Sequence, residues 1–387
     1  MQTFATSHKI IDVSAQGLVH SVPPTGIGYL GAHNGMLFVG NTDRNLQIVF
    51  PDLERERLNN IARFYDTAEP LTDDRALLDL DFHDILFEKS GAFYAVNHLG
   101  IVRNFGALEN SFAAGKKGND SNFNLELLPQ SLFRWIPDAE HTYLVNNRLI
   151  SSSSGNFKIE TPAKPGIFIS MNLEEFLQAY DTKCGSPTAQ DLITLPGRCH
   201  FKNFGFVTAL YVDSEKQHLL FAAGQRLGFC PLVESEGNIV PGQLHWLQRL
   251  PFWCKLLFCN DDEITACGYS PTSTNEDDYA GLVGGGIARL SLRDGSILLQ
   301  APFDMDPAWG NGASPVMYIE KRGEMYCVDR FGSLYLIDHK SLEQQCIHMC
   351  DCAEKSHPLG AAHLVYSSDV IFCGYHRGGY RLHYWTL

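Results

Sequence analysis

Four soft metal donors alternate along one short segment in the last tenth of the chain. Cys346, His348, Cys350 and Cys352 occupy every second position, and His357 follows five residues later. Cysteine and histidine are the ligands that zinc prefers in proteins. Because side chains alternate between the two faces of a strand, these four donors would point to one face of an extended segment.

The spacing of these donors argues against a zinc site. Donors that follow one another on one face of a strand lie about 6.6 Å apart, so all four cannot reach one ion. Zinc knuckles usually pair ligands across a two-residue gap, and the sequence contains no Cys-x-x-Cys. We therefore predict an outer strand with soft side chains packed inward, no metal and no cofactor. The five residues remain weak candidates for metal ligands.

Arginine recurs at turns between the second and third strands of a repeated unit. The four such residues are Arg44, Arg226, Arg330 and Arg377. A guanidinium group binds carboxylate or phosphate in a forked geometry, so a ring of arginines on one face would bind an acidic or anionic segment. The alternative is that exposed arginines only solubilise the turns, where Asp43 and Asp329 form local hydrogen bonds.

Two further groups of residues could take part in acid–base chemistry. Carboxylates and an imidazole alternate with apolar residues at Asp79, Asp81, His83 and Asp84, which could act as acid and base or hold a cation. Their position just before a strand favours a solvated strand edge. Histidines that could converge on a channel are His33, His98, His141, His363 and His376.

Composition excludes some classes of partner. The 387 residues carry a net charge of −14, which argues against binding to nucleic acid or to an anionic membrane surface. No run of eighteen apolar residues occurs, and the first fifteen residues lack an apolar stretch of signal-peptide length. Eleven cysteines scattered through predicted strands suit a reducing compartment. These features predict a cytoplasmic location.

The elements that must position these residues repeat seven times. Each unit has an apolar run, a polar turn, a second apolar run, a turn containing glycine, and a third apolar run. The clearest unit has its runs at 316–319, 325–328 and 334–337. Runs of this length, rich in β-branched and aromatic residues, indicate strands. Because a three-stranded meander cannot bury both of its faces, the recurrence predicts an array of stacked copies.

The repeated phrases resemble a known superfamily. Residues 332–338, Gly-Ser-Leu-Tyr-Leu-Ile-Asp, are similar to the repeat of PQQ-like (quinoprotein-like) proteins, and residues 286–292 are a looser copy. The chain as a whole resembles the β-propeller superfamily, in particular its WD40-like and PQQ-like groups, although it contains no Trp-Asp dipeptide. The resemblance implies a propeller fold and a tendency to bind partners, and it supplies no catalytic residue.

We predict one all-β domain over residues 1–387, a seven-bladed β-propeller. The predicted units lie near residues 27–50, 83–106, 141–172, 205–232, 253–300, 315–349 and 362–387. The last unit has only three strands, so residues 9–14 are expected to complete it and to close the ring. Residues 52–65 show weak helical spacing and predict a short surface helix. In the third unit, residues 157–160 are expected to form the third strand and residues 166–172 the fourth.

This architecture favours a non-enzymatic scaffold or adaptor for protein–protein contact. The expected site is the face with the four arginines, and the expected state is a monomer within a larger complex. The alternative is a cytosolic propeller-type lyase or hydrolase with an active site, metal-dependent or not, at the mouth of the channel. Because one fold hosts many functions, the choice between them rests partly on analogy.

Overall fold

The structure, a computed structural model, describes most of the chain. The described residues are 7–13, 26–41, 46–64, 82–88, 91–97, 100–108, 126–127, 130–135, 139–153, 166–170, 172–173, 193–194, 197–200, 207–213, 215–271, 282–310, 313–350, 358–377 and 379–387. They form seven sheets, antiparallel except where the two-residue strands at 126–127 and 193–194 each pair parallel with a neighbouring strand, and the sheets are the blades of a ring. The fold is therefore the predicted seven-bladed β-propeller.

The strands of the first half of the chain are β1 (Ser7–Asp12), β2 (Ile27–His33), β3 (Met36–Asn41), β4 (Leu46–Asp52), β5 (Arg57–Phe64), β6 (Phe82–Phe87), β7 (Ala92–Asn97), β8 (Ile101–Ala107), β9 (Glu126–Leu127), β10 (Ser131–Arg134), β11 (Ala139–Val145), β12 (Arg148–Ser153), β13 (Gly166–Ser170), β14 (Ile193–Thr194) and β15 (Gly197–His200). Blade one is β2 to β5 with the short β9 beside β5. Blade two is β6, β7, β8, β10 and β14, and blade three is β11, β12, β13 and β15.

The strands of the second half are β16 (Ala209–Asp213), β17 (His218–Ala223), β18 (Arg226–Ser235), β19 (Asn238–Pro241), β20 (Trp246–Arg249), β21 (Trp253–Asn260), β22 (Glu263–Pro271), β23 (Leu282–Ser291), β24 (Ile297–Pro302), β25 (Val316–Ile319), β26 (Glu324–Val328), β27 (Leu334–Asp338), β28 (Gln344–His348), β29 (Ala362–Ser367), β30 (Val370–Tyr375) and β31 (Arg381–Thr386). Blade four is β16 to β20, blade five β21 to β24, and blade six β25 to β28. Blade seven is β29, β30, β31 and β1.

The amino-terminal strand closes the ring, as the sequence predicts. β1 pairs antiparallel with β31, with Ser7 opposite Thr386 and Asp12 opposite Arg381. The side chain of Ile11 is buried among residues of blades seven and one. Closure therefore joins one end of the chain to the other by a complete strand ladder, which removes an open sheet edge.

The hydrophobic core is divided among the seams between blades. Seven clusters of buried side chains occur, and each joins one blade to the next around the ring. The second strand of a blade is covered on both faces; all six residues of β30 are buried, for example. A continuous apolar run is expected where both faces of a strand are covered by neighbouring sheets.

The predicted helix at 52–65 is wrong, because β5 occupies most of this segment. β5 pairs antiparallel with β4, with Phe50 opposite Asn59. Leu58 and Ala62 are buried, four residues apart, a spacing that suits both a strand face and a helix face. The segment forms a strand and not a helix because it pairs with β4, whose outer edge would otherwise be open.

The strand order of blade three also differs from the prediction. β13 pairs with β12, with Ile150 opposite Ile169, so this segment is the third strand and not the fourth. The fourth strand is β15, which pairs with β13. Ile167 and Ile169 are both buried, which gives β13 a clear inward face. Residues 157–160, the expected third strand, lie outside the described residues.

Blade four continues past the predicted boundary at residue 232. β18 is ten residues long, and its outer half pairs with β19 while its first four residues pair with β20. The fourth strand of this blade is therefore β20, which leads directly into blade five. This arrangement sets Arg226 of β18 opposite Arg249 of β20.

Candidate functional site

One face of the ring collects the predicted site residues. The first strands of neighbouring blades contact each other, so they are the innermost strands. Because strands within a blade are antiparallel, the first strands begin at the same end of the ring where the second strands end. We call this end the upper face. It carries the turns between second and third strands and the starts of the innermost strands.

Arg226 lies on the upper face of blade four and faces a second arginine. Its side chain is exposed, and so is that of Arg249 directly opposite on β20. The Arg249 Nη2 donates to Gln225 Oε1 at 3.3 Å, and within the described ranges neither guanidinium forms an ion pair. Like charges directly opposite on a strand pair are unfavourable, so an anionic group placed between them would be stabilising. Arg249 is not among the site residues predicted from the sequence. Its position at the end of a fourth strand is the one sequence feature that could have indicated it.

Arg330 occupies the equivalent turn of blade six, but it is paired within the chain. Its Nε lies 2.8 Å from Asp306 Oδ2, and the arginine side chain is only 12% exposed. The Oδ1 of Asp306 also accepts the Gly284 N–H at 3.0 Å. Arg330 therefore ties its turn to the connection between blades five and six.

Arg377 lies in the turn of blade seven, close to that of blade six. The Arg377 N–H donates to Leu359 O at 2.8 Å, and the Leu359 N–H donates to Arg330 O at 2.8 Å. Arg377 is exposed, and its aliphatic stem covers Gly360, where an added Cβ would lie 3.4 Å from Arg377 Cγ. Arg330 and Arg377 are thus brought together around Leu359, whereas Arg226 lies in blade four. Arg44 lies outside the described residues.

Polar side chains at the starts of the innermost strands bond from one blade to the next. Asp84 Oδ2 in blade two accepts the Thr142 N–H of blade three at 2.9 Å. In blade three, His141 Nε2 lies 3.2 Å from Thr208 O, and Tyr143 Oη donates to Leu210 O at 2.8 Å. Both of these carbonyls precede or belong to the innermost strand of blade four.

The same pattern continues around the ring. Thr208 Oγ1 donates to Cys254 O of blade five at 2.6 Å, and Tyr211 Oη lies 3.5 Å from Cys259 O. Asn260 Nδ2 donates to Tyr318 Oη of blade six at 3.0 Å. We call these contacts the interblade bonds. The innermost strands have one edge with no strand partner, so all of these side chains except the Asn260–Tyr318 pair satisfy backbone groups that would otherwise lack partners there.

Burial changes the pKa values of the groups that form interblade bonds. It raises the pKa of Asp84 to about 7, although the Thr142 N–H lowers that pKa. Burial, followed by the charge of the nearby Lys255, lowers the pKa of His141 to about 3. His141 is therefore neutral at pH 7 and can donate its Nε2 proton to the Thr208 carbonyl. Burial also raises the pKa of Tyr143 above its ordinary value, and the Asp84 charge adds to this.

The sequence had favoured a solvated strand edge for Asp84, and the structure places this residue on an innermost strand. Asp79 and Asp81 lie outside the described residues, and His83 lies in β6 beside Asp84. A polar residue two or three positions into a first strand recurs in several units, in Asp84, His141 and Lys255. That recurrence is the signal that could have identified the interblade bonds.

The candidate channel histidines do not form one group in the described structure. His363 and His376 approach each other within blade seven, with their Nε2 atoms 3.2 Å apart. Burial, followed by the Arg377 charge, lowers the pKa of His376 to about 4. His33 stacks on Phe87 with ring centroids 3.6 Å apart, and burial lowers its pKa. His98 lies outside the described residues.

The alternating soft donors of β28 do not share one face. Cys346 is opposite Tyr335 and His348 is opposite Leu334, so two consecutive residues of β27 face them and Ile347 is bulged. Tyr335 packs in the seam between blades five and six, whereas Leu334 packs between blades six and seven. The bulge therefore separates Cys346 from His348, and the prediction of a common face is wrong.

The remaining weak metal candidates are partly described. The Cys350 side chain is buried, and its N–H donates to Ser333 Oγ at 3.3 Å. Cys352 and His357 lie outside the described residues. In the described part of the chain, no group of three or more histidine, cysteine or acidic side chains could hold a metal ion. The described helices include none that is long and apolar enough to cross a membrane.

Comparison with known proteins supports the fold alone. No protein family and no curated protein matches this sequence. The chain is similar to the extracellular domain of BT4673 from B. thetaiotaomicron, described as a one-component system, with 11% identity and a TM-score of 0.57. This match covers 98% of the chain but only 42% of the BT4673 structure, so the chain spans less than half its length. A computationally designed protein, Ika8, is similar over 93% of the chain and 83% of its own length, with 9% identity and a TM-score of 0.47.

Proposed function

We propose that this protein is a non-enzymatic scaffold that binds an acidic segment of a protein partner on the upper face of its propeller. The observation that carries the proposal is the pair Arg226 and Arg249. Both side chains are exposed and directly opposed, and the described structure gives neither of them an anionic partner. A partner carboxylate or phosphate could accept hydrogen bonds from both guanidinium groups.

The other arginines have different parts in this proposal. Arg377 is exposed and can contact the same partner on the far side of the channel. Arg330 is held by Asp306, so its charge is largely offset, and its role is to shape the surface. Arg44 completes the proposed partner-binding set by its place in the repeat.

Channel chemistry is the weaker alternative. An active site at the channel mouth needs acid–base groups that are free to contact a substrate. Instead, Asp84, His141 and Tyr143 are all bonded to backbone groups of the next blade. These side chains have a structural role that explains their burial and their pKa shifts without a substrate. This observation supports the scaffold over the enzyme.

The repeat type, the cellular location and the oligomeric state are also part of the proposal. The phrase at 332–338 supports a PQQ-like repeat type, and the missing Trp-Asp dipeptide weighs against a strict WD40 type. The acidic composition and the eight described cysteines, none of which forms a disulfide, support a cytoplasmic protein that acts as a monomer within a larger complex. None of these features calls for nucleic acid, membrane or cofactor binding.

The proposal is tested by reversing the charge of the arginine pair. The Arg226→Glu/Arg249→Glu variant should lose at least tenfold in affinity for its partner, because each charge-assisted hydrogen bond contributes about 1.5–3 kcal/mol. Proteins captured by the wild type are first compared with those captured by the variant, using quantitative mass spectrometry. The affinity of a purified captured partner is then measured by titration calorimetry at two salt concentrations.

The matched control is Arg293→Glu. Arg293 is equally exposed, but it lies in the turn between β23 and β24, at the opposite end of the ring. This variant should bind like the wild type. Equal binding by all three proteins, with the same thermal unfolding curve, would remove the upper-face arginines from the proposal. A partner whose affinity does not fall with salt would contradict the acidic segment.

A further inference from the structure

A cluster of imidazole rings lies where the amino-terminal strand meets blade six. His8 of β1 lies against His383 of β31, with His8 Nε2 3.2 Å from His383 Nδ1. The ring of His348, at the end of β28, lies 4.3 Å from the ring of His8, centroid to centroid. Trp385 stacks on His8 with the centroids 5.0 Å apart. We call these four residues the seam cluster.

Besides the ladder with β31, side-chain contacts hold β1 on both of its faces, and the seam cluster is the contact on one of them. On the other side of β1, Ile11 is buried between blades seven and one, and Lys9 pairs with Glu56 of blade one at 2.6 Å. The Lys9–Glu56 pair is exposed, so it contributes little to stability. The attachment to blade six depends on the histidine contacts, since the next residue on that side, Ile10, is 40% exposed.

The contact between His8 and His383 needs one protonated and one unprotonated ring nitrogen. At 3.2 Å one ring nitrogen must donate and the other accept, so both rings can be neutral. If both rings are protonated, two N–H groups face each other and two positive charges are in contact. An imidazolium pair at this distance is strongly unfavourable in a partly buried site.

We propose that the seam cluster is an acid-sensitive latch that releases β1 from β31. While the imidazoles are neutral, β1 stays paired with β31. Protonation of both His8 and His383 releases β1. Release uncovers the edge of β31, which would then present unpaired backbone groups to a partner strand. The device is separate from the upper face, and it does not depend on the scaffold proposal.

The charged groups around the cluster favour release. Arg381 of β31 and His348 of β28 both lower the pKa of His383, and burial lowers it most, to about 3. Burial and His348 lower the pKa of His8 to about 4. Tyr375 of β30 contacts the His383 ring as a neutral group. No carboxylate is among the described groups that shift either pKa, so no anion among them stabilises an imidazolium.

The expected size of the effect follows from linkage. Released histidine has an ordinary pKa of about 6.5, so the open state gains protons as the pH falls below that value. For His8, whose closed-state pKa is about 4, opening should be favoured about 30-fold at pH 5 relative to pH 8. The closed state is fully stable above pH 6.5 and loses stability steadily towards pH 4.

Hydrogen exchange tests the latch directly. Amides of residues 7–13 should lose at least tenfold in protection between pH 7.5 and pH 5, after correction for the intrinsic exchange rate. The edge strand β24 serves as the internal reference and should not change with them. In the His8→Gln variant, and separately in His383→Gln, the loss of protection should shrink, because one titrating ring is gone. The control is His245→Gln, which replaces an exposed histidine of blade four and should behave like the wild type.

Three results would overturn the latch. The first is equal protection of residues 7–13 at both pH values in the wild type. The second is a His8→Gln variant, folded by circular dichroism, that keeps the full acid sensitivity of the wild type. The third is independent of any variant: an imidazole titration of His8 by NMR that gives a pKa near 6.5 would show that β1 holds its histidine without strain.

Discussion

Two sets of polar residues differ in how they are used, the interblade bonds and the turn arginines. The interblade bonds lie along the innermost strands, where Asp84, His141 and Tyr143 bond to the backbone of the next blade. The turn arginines lie farther out, where Arg226 and Arg377 are exposed. The inner set holds blades together, and the outer set is the one to which we assign partner binding in the proposed function. The two sets differ in exposure more than in residue type.

The largest expected effect tests the inner set through Asp84. Its pKa is about 7 in the folded protein, so the folded state keeps a proton that the unfolded state loses above pH 4. Stability contributed by this group therefore falls as the pH rises from 4 to 7. The Asp84→Asn variant keeps an acceptor for the Thr142 N–H and removes the charge. It should be more stable than the wild type at pH 8, by up to about 4 kcal/mol in urea unfolding.

The prediction is wrong if Asp84→Asn is less stable than the wild type at pH 8. It is also wrong if the free energy of unfolding of the variant depends on pH in the same way as that of the wild type. Arg226→Gln is the matched control from the outer set. Its stability should follow that of the wild type at every pH, within about 0.5 kcal/mol, because exposed side chains without partners contribute little.

The second prediction concerns His141. Its pKa of about 3 lies below the ordinary value, so the unfolded state binds a proton that the folded state excludes between pH 6.5 and pH 3. The stability is fully present above pH 6.5 and is lost as the pH falls through this window. At pH 5 the loss from this residue should be about 2 kcal/mol.

The His141→Asn variant checks the sign of this effect. Asparagine can still donate to the Thr208 carbonyl but does not titrate, so the variant should lose less stability than the wild type between pH 7.5 and pH 5. The measurement is the free energy of unfolding at both pH values. A variant as acid-sensitive as the wild type would show that His141 is not held neutral by the ring.

The third prediction distinguishes two arginines of the outer set. Arg330→Ala should lower the free energy of unfolding by about 2 kcal/mol, because it leaves the partly buried Asp306 without its cation. Arg226→Ala should change it by less than about 0.5 kcal/mol, since that side chain is exposed. If the two variants change the free energy of unfolding equally, in thermal or urea unfolding, the Arg330–Asp306 pair does not stabilise the protein and the prediction is wrong.

The smallest effect on stability belongs to the charge reversal proposed above for binding. Arg226→Glu/Arg249→Glu should unfold at nearly the same temperature as the wild type, because it replaces one pair of exposed like charges by another. A loss of binding together with unchanged stability would assign this pair to recognition. Differential scanning calorimetry supplies the stability measurement.

Much of the fold could be predicted from the sequence because its signals are local and repeated. Blade six was predicted strand by strand, since Val316–Ile319, Glu324–Val328 and Leu334–Asp338 are short apolar runs with tight turns between them. Closure by β1 followed from counting strands in the last unit. Errors occurred where local pattern was ambiguous, as at β5, and where connections are long, as before β13. Pairing with distant strands decides these cases.

Less of the candidate site could be predicted. The repeat placed Arg226 and Arg330 at equivalent turns, but it could not show that Asp306 pairs with only one of them. The alternating donors of β28 were misread because a bulge at one residue changes which face each side chain occupies. The sequence predicts a solvated strand edge at Asp84 because a pattern of charged residues does not reveal which strand of a blade is innermost. The groups that contact these side chains come from segments remote in sequence, so the spacing of residues alone does not specify them.

The ladder between β1 and β31 also has a consequence for how the chain folds. Ser7 pairs with Thr386, so the two strands of this ladder are separated by almost the whole sequence. The entropy cost of joining such distant segments grows slowly with length, but it is recovered only after the intervening blades are stacked. Ring closure is therefore expected to be a late event in folding, and blade seven remains incomplete until it occurs.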